Sequence, residues 1–209
     1  MPYLKLDRSL LDIKKLNDRK NKICIERDHV PLTRLPENIS EAGWKLIEKA
    51  VARIRQARRE ERPVMLTFGA HTIKNGMSPT LIALLEEGWV THLATNGAGI
   101  IHDWEFAFQG KSSEDVRENV NLGQFGIWDH TGFNINLALV VGAYEGLGYG
   151  ESVGKMIAQE GLQIPEVSAL YHEAAEKMQT DHARAAAAID LAEVIRKFNL
   201  SPGDRKSVV

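Results

Sequence analysis

Two apolar runs, each closed by a polar loop containing glycine, constrain this chain more than any other feature. Both lie in PVMLTFGAHTIKNGMSPTLIALLEEGWVTHLATNGAGIIHDWE, Pro63 to Glu105. Val64 to Phe68 has the character of a strand covered on both faces, and Gly69 ends it before a loop that closes at Gly76. Ser78 and Pro79 suit the start of a helix, Leu81, Ile82, Leu84 and Leu85 give it an apolar face, and Gly88 stops it. Val90 to Ala94 reads as a second strand, and Thr95, Asn96, Gly97, Ala98 and Gly99 lead into a helix beginning near Ile100. Two strands joined by one helix are expected to lie parallel, so the loops at Gly69 and Thr95 leave the same sheet edge. That edge is where open α/β sheets bind ligands.

The remainder of the chain reads as support. Residues 1–36 form a charged arm with a short helical pattern at Leu10, Leu11, Ile13 and Leu16 and a weak strand at Lys22 to Ile25. Residues 37–209 are expected to make a single α/β domain, with a nucleotide-binding core over 60–130 and a helical region over 131–200. Asn38 or Ser40 caps a helix to Glu60 with Trp44, Leu46, Ile47, Val51 and Ile54 inward. Ser112 or Ser113 is placed to cap a short helix. The polar, aromatic stretch LGQFGIWDHTGFN, Leu122 to Asn134, suits a binding or interface segment. Ile135 to Val141 is compatible with strand or helix, and we favour a helix ending near Gly146. Another helix begins at Ser152, and the alanine-rich stretch from Glu166 to Phe198 is helical with a break near Thr180.

The expected fold class is therefore α/β, a Rossmann-like parallel sheet flanked by helices with a helix-rich C-terminal part. Two strands are too few for such a sheet, and Ser207 to Val209 adds only a weak third. The sheet then needs completion, either by chain beyond Val209 or by another subunit.

A net charge of −2 offers no global attraction to nucleic acid or an anionic membrane. The basic series Arg53, Arg55, Arg58 and Arg59 is interleaved with Glu60 and Glu61, as on a solvated helix face. The one cysteine, Cys24, fits a reducing compartment and reads as a buried thiol. No segment approaches roughly 18 continuous apolar residues, and the first residues lack a signal-like apolar block, so a cytoplasmic protein is expected.

The chemistry concentrates in the two loops. GAHTIKNG has neither a GxGxxG fingerprint nor a GxxxxGK[ST] phosphate loop, yet it offers backbone amides beside His71, Thr72, Lys74 and Asn75. TNGAG is a second candidate anion nest, in which Gly97 and Gly99 permit close backbone approach or positive φ and Asn96 presents a donor and an acceptor. His102, Asp103 and Glu105 follow within an apolar segment. They either serve ribose hydroxyls, a cationic substrate and proton exchange, or favour the helix dipole around a semi-buried imidazole. His71, His92, His102, Asp103, Asp129 and His130 are candidate metal ligands by residue type, but no HExxH or paired-cysteine spacing exists, so no metal is assigned. A serine hydrolase has no GxSxG elbow to stand on.

As an ordered set, TFGAHTIKNGMSPTLIALLEEGWVTHLATNGAGIIHDWE followed by FQGKSSEDVRENVNLGQFGIW resembles the NAD-binding core of deoxyhypusine synthase and its bacterial deoxyhypusine synthase-like relatives. The resemblance covers roughly residues 60–130. It implies a Rossmann-like sheet, bound NAD, a homo-oligomer (a tetramer) with sites at subunit interfaces, and oxidation and transfer chemistry on a polyamine or related amine. On this basis Gly69, His71, Thr72, Gly76, Thr95, Asn96, Gly97, Ala98 and Gly99 hold the dinucleotide, and His102, Asp103 and Glu105 act near the reacting amine. Neither Lys74 nor Lys206 stands in a motif matching the family's lysine. Other classes remain open: a nucleotide-binding oligomeric module without catalysis, or a metal-assisted hydrolase using His71, His102 and Asp103.

Overall fold

The computed structural model describes residues 5–202, which fall into two units, one of Asn21–Ser113 and one of the described parts of Met1–Lys20 and Glu114–Val209. The expected strand at Ser207 to Val209 lies outside the described residues.

The unit Asn21–Ser113 runs β1 (Ile23–Cys24), α1 (Ile25–Asp28), α2 (Glu41–Arg59), β2 (Met65–Thr67), α3 (Ala70–Lys74), α4 (Ser78–Glu86), β3 (His92–Ala94), α5 (Gly97–Gln109) and β4 (Lys111–Ser112). β2 and β3 pair in parallel, with Met65 opposite His92, Leu66 opposite Leu93 and Thr67 opposite Ala94. β1 and β4 form a separate antiparallel pair, Ile23 opposite Ser112. Gly110 makes that second pair possible: at φ 66° it ends α5 in the left-handed conformation and turns the chain back. Ile73, Leu81 and Phe106 form the unit's small core, with Ile23, Ile25, Leu66 and Phe68 packed against it.

The Rossmann-like sheet is not formed. Among the described residues the chain is mostly helical, and the strands make only two two-stranded pairs. The reason is local. β2 and β3 keep three residues each, Ile135 to Val141 is helix, and Lys111–Ser112 turns onto β1 instead of extending the parallel pair.

Ser40 caps α2 by accepting from the Gly43 amide at 3.1 Å, but the face expected to be inward is not. Trp44, Leu46, Ile47 and Val51 are all exposed, and α2 buries no residue. Amphipathic spacing reports that a face is apolar, and it does not supply a partner for that face. Two other boundaries differ. Ser78 is the first residue of α4, behind Met77, and supplies no cap; residues expected as loop between Gly69 and Gly76 contain α3.

The second unit contains α6 (Val116–Asn121), α7 (Asp129–Glu145), α8 (Tyr149–Ala158), α9 (Val167–Lys177) and α10 (His182–Phe198). α9 packs on α10, and α7 packs on both α8 and α10. Ala174, Ala185, Ala188 and Ala192 are buried there, small side chains that let α9 and α10 approach closely. Gly142 plays the same part between α7 and α8: a Cβ placed on it would lie 1.8 Å from Ser152 Oγ. Left-handed Gly146 ends α7, and Asp181 caps α10 by accepting from the Arg184 amide at 3.0 Å.

Asp115, not Ser112 or Ser113, caps α6, taking the Glu118 amide at 2.9 Å. The segment before α7 is held from inside. Glu114 accepts from Asn119 Nδ2 at 2.7 Å, from the Gly126 amide at 3.1 Å and from Trp128 Nε1 at 2.9 Å. Trp128 is buried under Arg19, and Leu16, fully buried, donates its amide to Asp129 at 2.8 Å. No described helix is long and apolar enough to cross a membrane.

Candidate functional site

The parallel register fixes the geometry of the candidate site. Thr67 lies opposite Ala94, and Phe68 extends the ladder by donating to the Ala94 carbonyl at 3.0 Å, so both chains leave the pair at the same end. One continues through Gly69 into α3, the other through Thr95 and Asn96 into α5, and the two helices pack together. The starts of both helices therefore stand beside one another, the Thr72 amide already donating to the Gly69 carbonyl and the Gly99 amide to Asn96.

Gly69 and Thr95 to Ala98 stand at this edge, with His71 and Thr72 in the first turn of α3. Gly69 is exposed with φ −96°, and nothing lies within 4 Å of where its Cβ would be, so approach to its backbone is open. His71 is exposed and Thr72 half-buried, both within α3. Thr95, Asn96 and Ala98 are exposed, and Gly97 is half-buried. Asn96 accepts from the Gly99 amide through its side chain at 3.1 Å, which makes it the cap of α5.

Two glycines serve packing. Gly76 has φ +84°, and a Cβ on it would meet the Asp28 carbonyl oxygen at 2.1 Å, because residues 28–30 lie across it and Val30 donates to its carbonyl at 3.0 Å. Gly99 is buried, and its missing Cβ leaves room for the Thr95 side chain, whose Oγ1 would otherwise be 2.4 Å away. Neither Gly97 nor Gly99 has positive φ, so TNGAG is a capped helix start and not a nest of alternating backbone hands.

His102, Asp103 and Glu105 separate around α5. Asp103 is exposed. The protein gathered around it pushes its carboxyl upward through burial, while solvent at its surface limits that rise. Glu105 is buried, only 1% exposed, and takes the hydroxyl of Ser112 at 2.5 Å. The same hydroxyl lies 2.7 Å from His102 Nδ1. Since Ser112 donates to Glu105, it accepts from His102, which requires the proton on Nδ1. A half-buried imidazole is thus joined through one hydroxyl to a buried carboxylate, an arrangement that fixes the imidazole's tautomer and supports a positive charge on it.

Ser112 was expected to cap a helix. Its part in this chain was discoverable only from Gly110: a left-handed turn directly after α5 brings the next residues back along the last helical turns, where Glu105 lies. Elsewhere, Asp129 accepts from the Leu16 amide, from the His130 amide at 2.6 Å and from His130 Nδ1 at 2.7 Å. Partial burial pushes the Asp129 carboxyl up, but those hydrogen bonds outweigh it and hold it below the usual carboxylate range. Among the described residues no three histidine, cysteine or acidic side chains gather as a metal site. Comparison with family models, curated proteins and solved structures gives no match for this chain.

Proposed function

We propose that the chain binds NAD at the edge where β2 and β3 end, and that it acts as an NAD-dependent, deoxyhypusine synthase-like transferase on a small amine. The observation that carries this reading is the parallel register of β2 and β3, which brings the Gly69 and Thr95 turns to one edge. Open space at Gly69 and the capped start of α5 suit a pyrophosphate lying across two helix starts. Gly69, His71 and Thr72 then serve one side of the dinucleotide, and Thr95, Asn96, Gly97 and Ala98 the other. Gly76 and Gly99 act through packing alone.

When bound, NAD supplies a hydride acceptor. An ammonium must lose a proton before its neighbouring carbon can give up hydride, and in this reading His102 takes it. His102 stands one helical turn beyond Ala98 and Gly99, on the same face of α5. Ser112 and Glu105 position the imidazole and stabilise the charge it acquires; Glu105 does not meet the amine, because it is buried against Ser112. Asp103, exposed, is available to an ammonium from the solvent side.

Titrating NADH into the intact protein tests the binding. Saturable binding is expected, weakened about tenfold in Gly69→Ala, since a methyl group there obstructs the cofactor while leaving the fold untouched. Equal affinity in wild type and variant would remove this edge from the reading. Adding spermidine with NAD and following the absorbance of the reduced cofactor then tests the transfer chemistry. No reduction, in a chain that binds NADH, would leave a nucleotide-binding module without catalysis.

A further inference from the structure

Away from that edge, α2, β2 and α4 enclose an open pocket of about 450 Å³, within the range of small-molecule sites. Val51 and Ile54 of α2, Met65 of β2, Leu84 of α4 and Trp89 give it an apolar wall. Trp89 is held as a rigid part of that wall. Its indole nitrogen donates to Glu87 at 2.8 Å, and the Arg58 guanidinium covers its ring at 4.1 Å. The charged group in the lining is Arg55, which forms no hydrogen bond or ion pair among the described residues. An apolar chamber with one guanidinium in its lining, Arg55, and a second, Arg58, over the outer ring of its wall is complementary to one kind of guest: an apolar body carrying one negative end.

We infer that this pocket binds an amphipathic carboxylate, its hydrocarbon part against Val51, Leu84 and Trp89 and its carboxylate on Arg55. The fork of the guanidinium donates two parallel hydrogen bonds to a carboxylate, which a point-charge lysine would not. The apolar face of α2 gives the reason a guest is needed at all. Val51 and Met65 line the pocket and are both exposed, and apolar surface of this extent on one helix and one strand favours cover. The site is independent of the NAD edge and survives the failure of that proposal.

Calorimetric titration of the full chain with decanoate, decanol and decyltrimethylammonium tests it, with wild type, Arg55→Gln and Val51→Trp. Arg55 and Val51 are both exposed, so neither substitution threatens folding. One decanoate is expected per chain, bound more tightly than decanol and far more tightly than the cation. Arg55→Gln should weaken decanoate about tenfold and leave decanol unchanged, as loss of one charge-assisted contact requires. Val51→Trp should weaken both by filling the mouth. Equal affinity for all three headgroups, unchanged decanoate binding in Val51→Trp, or decanoate inert beside self-association that Val51→Trp abolishes would each overturn the inference.

Discussion

Replacing Gly76 by alanine separates a packing glycine from a cofactor glycine. At φ +84° a side chain places its Cβ against the following carbonyl, a strain of about 1–2 kcal/mol. The new methyl would also stand 2.1 Å from the Asp28 carbonyl oxygen and 3.0 Å from the His29 Cα. These are backbone atoms, which no rotamer change removes, so residues 28–30 must retreat by more than an ångström. That retreat breaks the bond from the Val30 amide to the Gly76 carbonyl, worth about 1 kcal/mol. The sum is a loss of about 2–3 kcal/mol, equivalent to a fall of roughly 5–10 °C in melting temperature.

Circular dichroism melts measure the loss, and hydrogen exchange of a peptide containing Val30 locates it. Wild-type NADH affinity is expected in the molecules that remain folded. Gly69→Ala supplies the contrast, since an open site at φ −96° predicts a stability change within about 0.5 kcal/mol. A Gly76→Ala protein as stable as wild type, with Val30 still protected and NADH affinity lost, would refute the packing account and return Gly76 to the cofactor.

In the helical unit, Gly142→Ala should cost about 2 kcal/mol in urea denaturation despite alanine's better helix propensity, because Ser152 Oγ lies 1.8 Å and its Cβ 2.5 Å from the added methyl. Adding Ser152→Gly should recover most of that loss, whereas Ser152→Ala should not, since it retains the Cβ. Glu173 accepts from Arg184 Nε at 2.5 Å and from the Tyr144 hydroxyl at 2.6 Å, joining α7, α9 and α10. Those bonds, Arg184's first, hold its carboxyl below the ordinary 4.5, so its stabilisation is complete above that value and disappears as pH falls through the lowered folded value. Glu173→Gln should therefore be less stable by about 2 kcal/mol at neutral pH, with the difference from wild type vanishing in acid.

What the sequence revealed was local. Ser40 as a cap, Gly146 as a helix end and the interruption near Thr180 follow from residue chemistry within a few positions, and each stands where it was expected. What it concealed depended on partners distant along the chain. Glycine composition did not distinguish Gly69, open where its Cβ would be, from Gly76, pressed by Asp28 some fifty residues earlier, or from Gly99, which accommodates Thr95. The polar segment Leu122 to Asn134 gave no sign of what holds it: Glu114, outside it, satisfies its Gly126 amide and Trp128 indole. The sheet was misjudged for a related reason: two good strand signals establish a pair, and extension to a full sheet depends on strands that later segments did not provide.

The acidic segment carries the most consequential lesson for mechanism. His102, Asp103 and Glu105 looked like one constellation because they are nearly consecutive. On a helix of 3.6 residues per turn, consecutive positions diverge by about 100°, so Asp103 and Glu105 face nearly opposite sides of α5. Burial agrees: Asp103 is exposed and Glu105 is not. His102 and Glu105, three apart, share a face and meet through Ser112. The two carboxylates cannot converge on one ammonium: an amine at this site would meet at most Asp103 directly, because Glu105 is buried and reaches His102 only through Ser112.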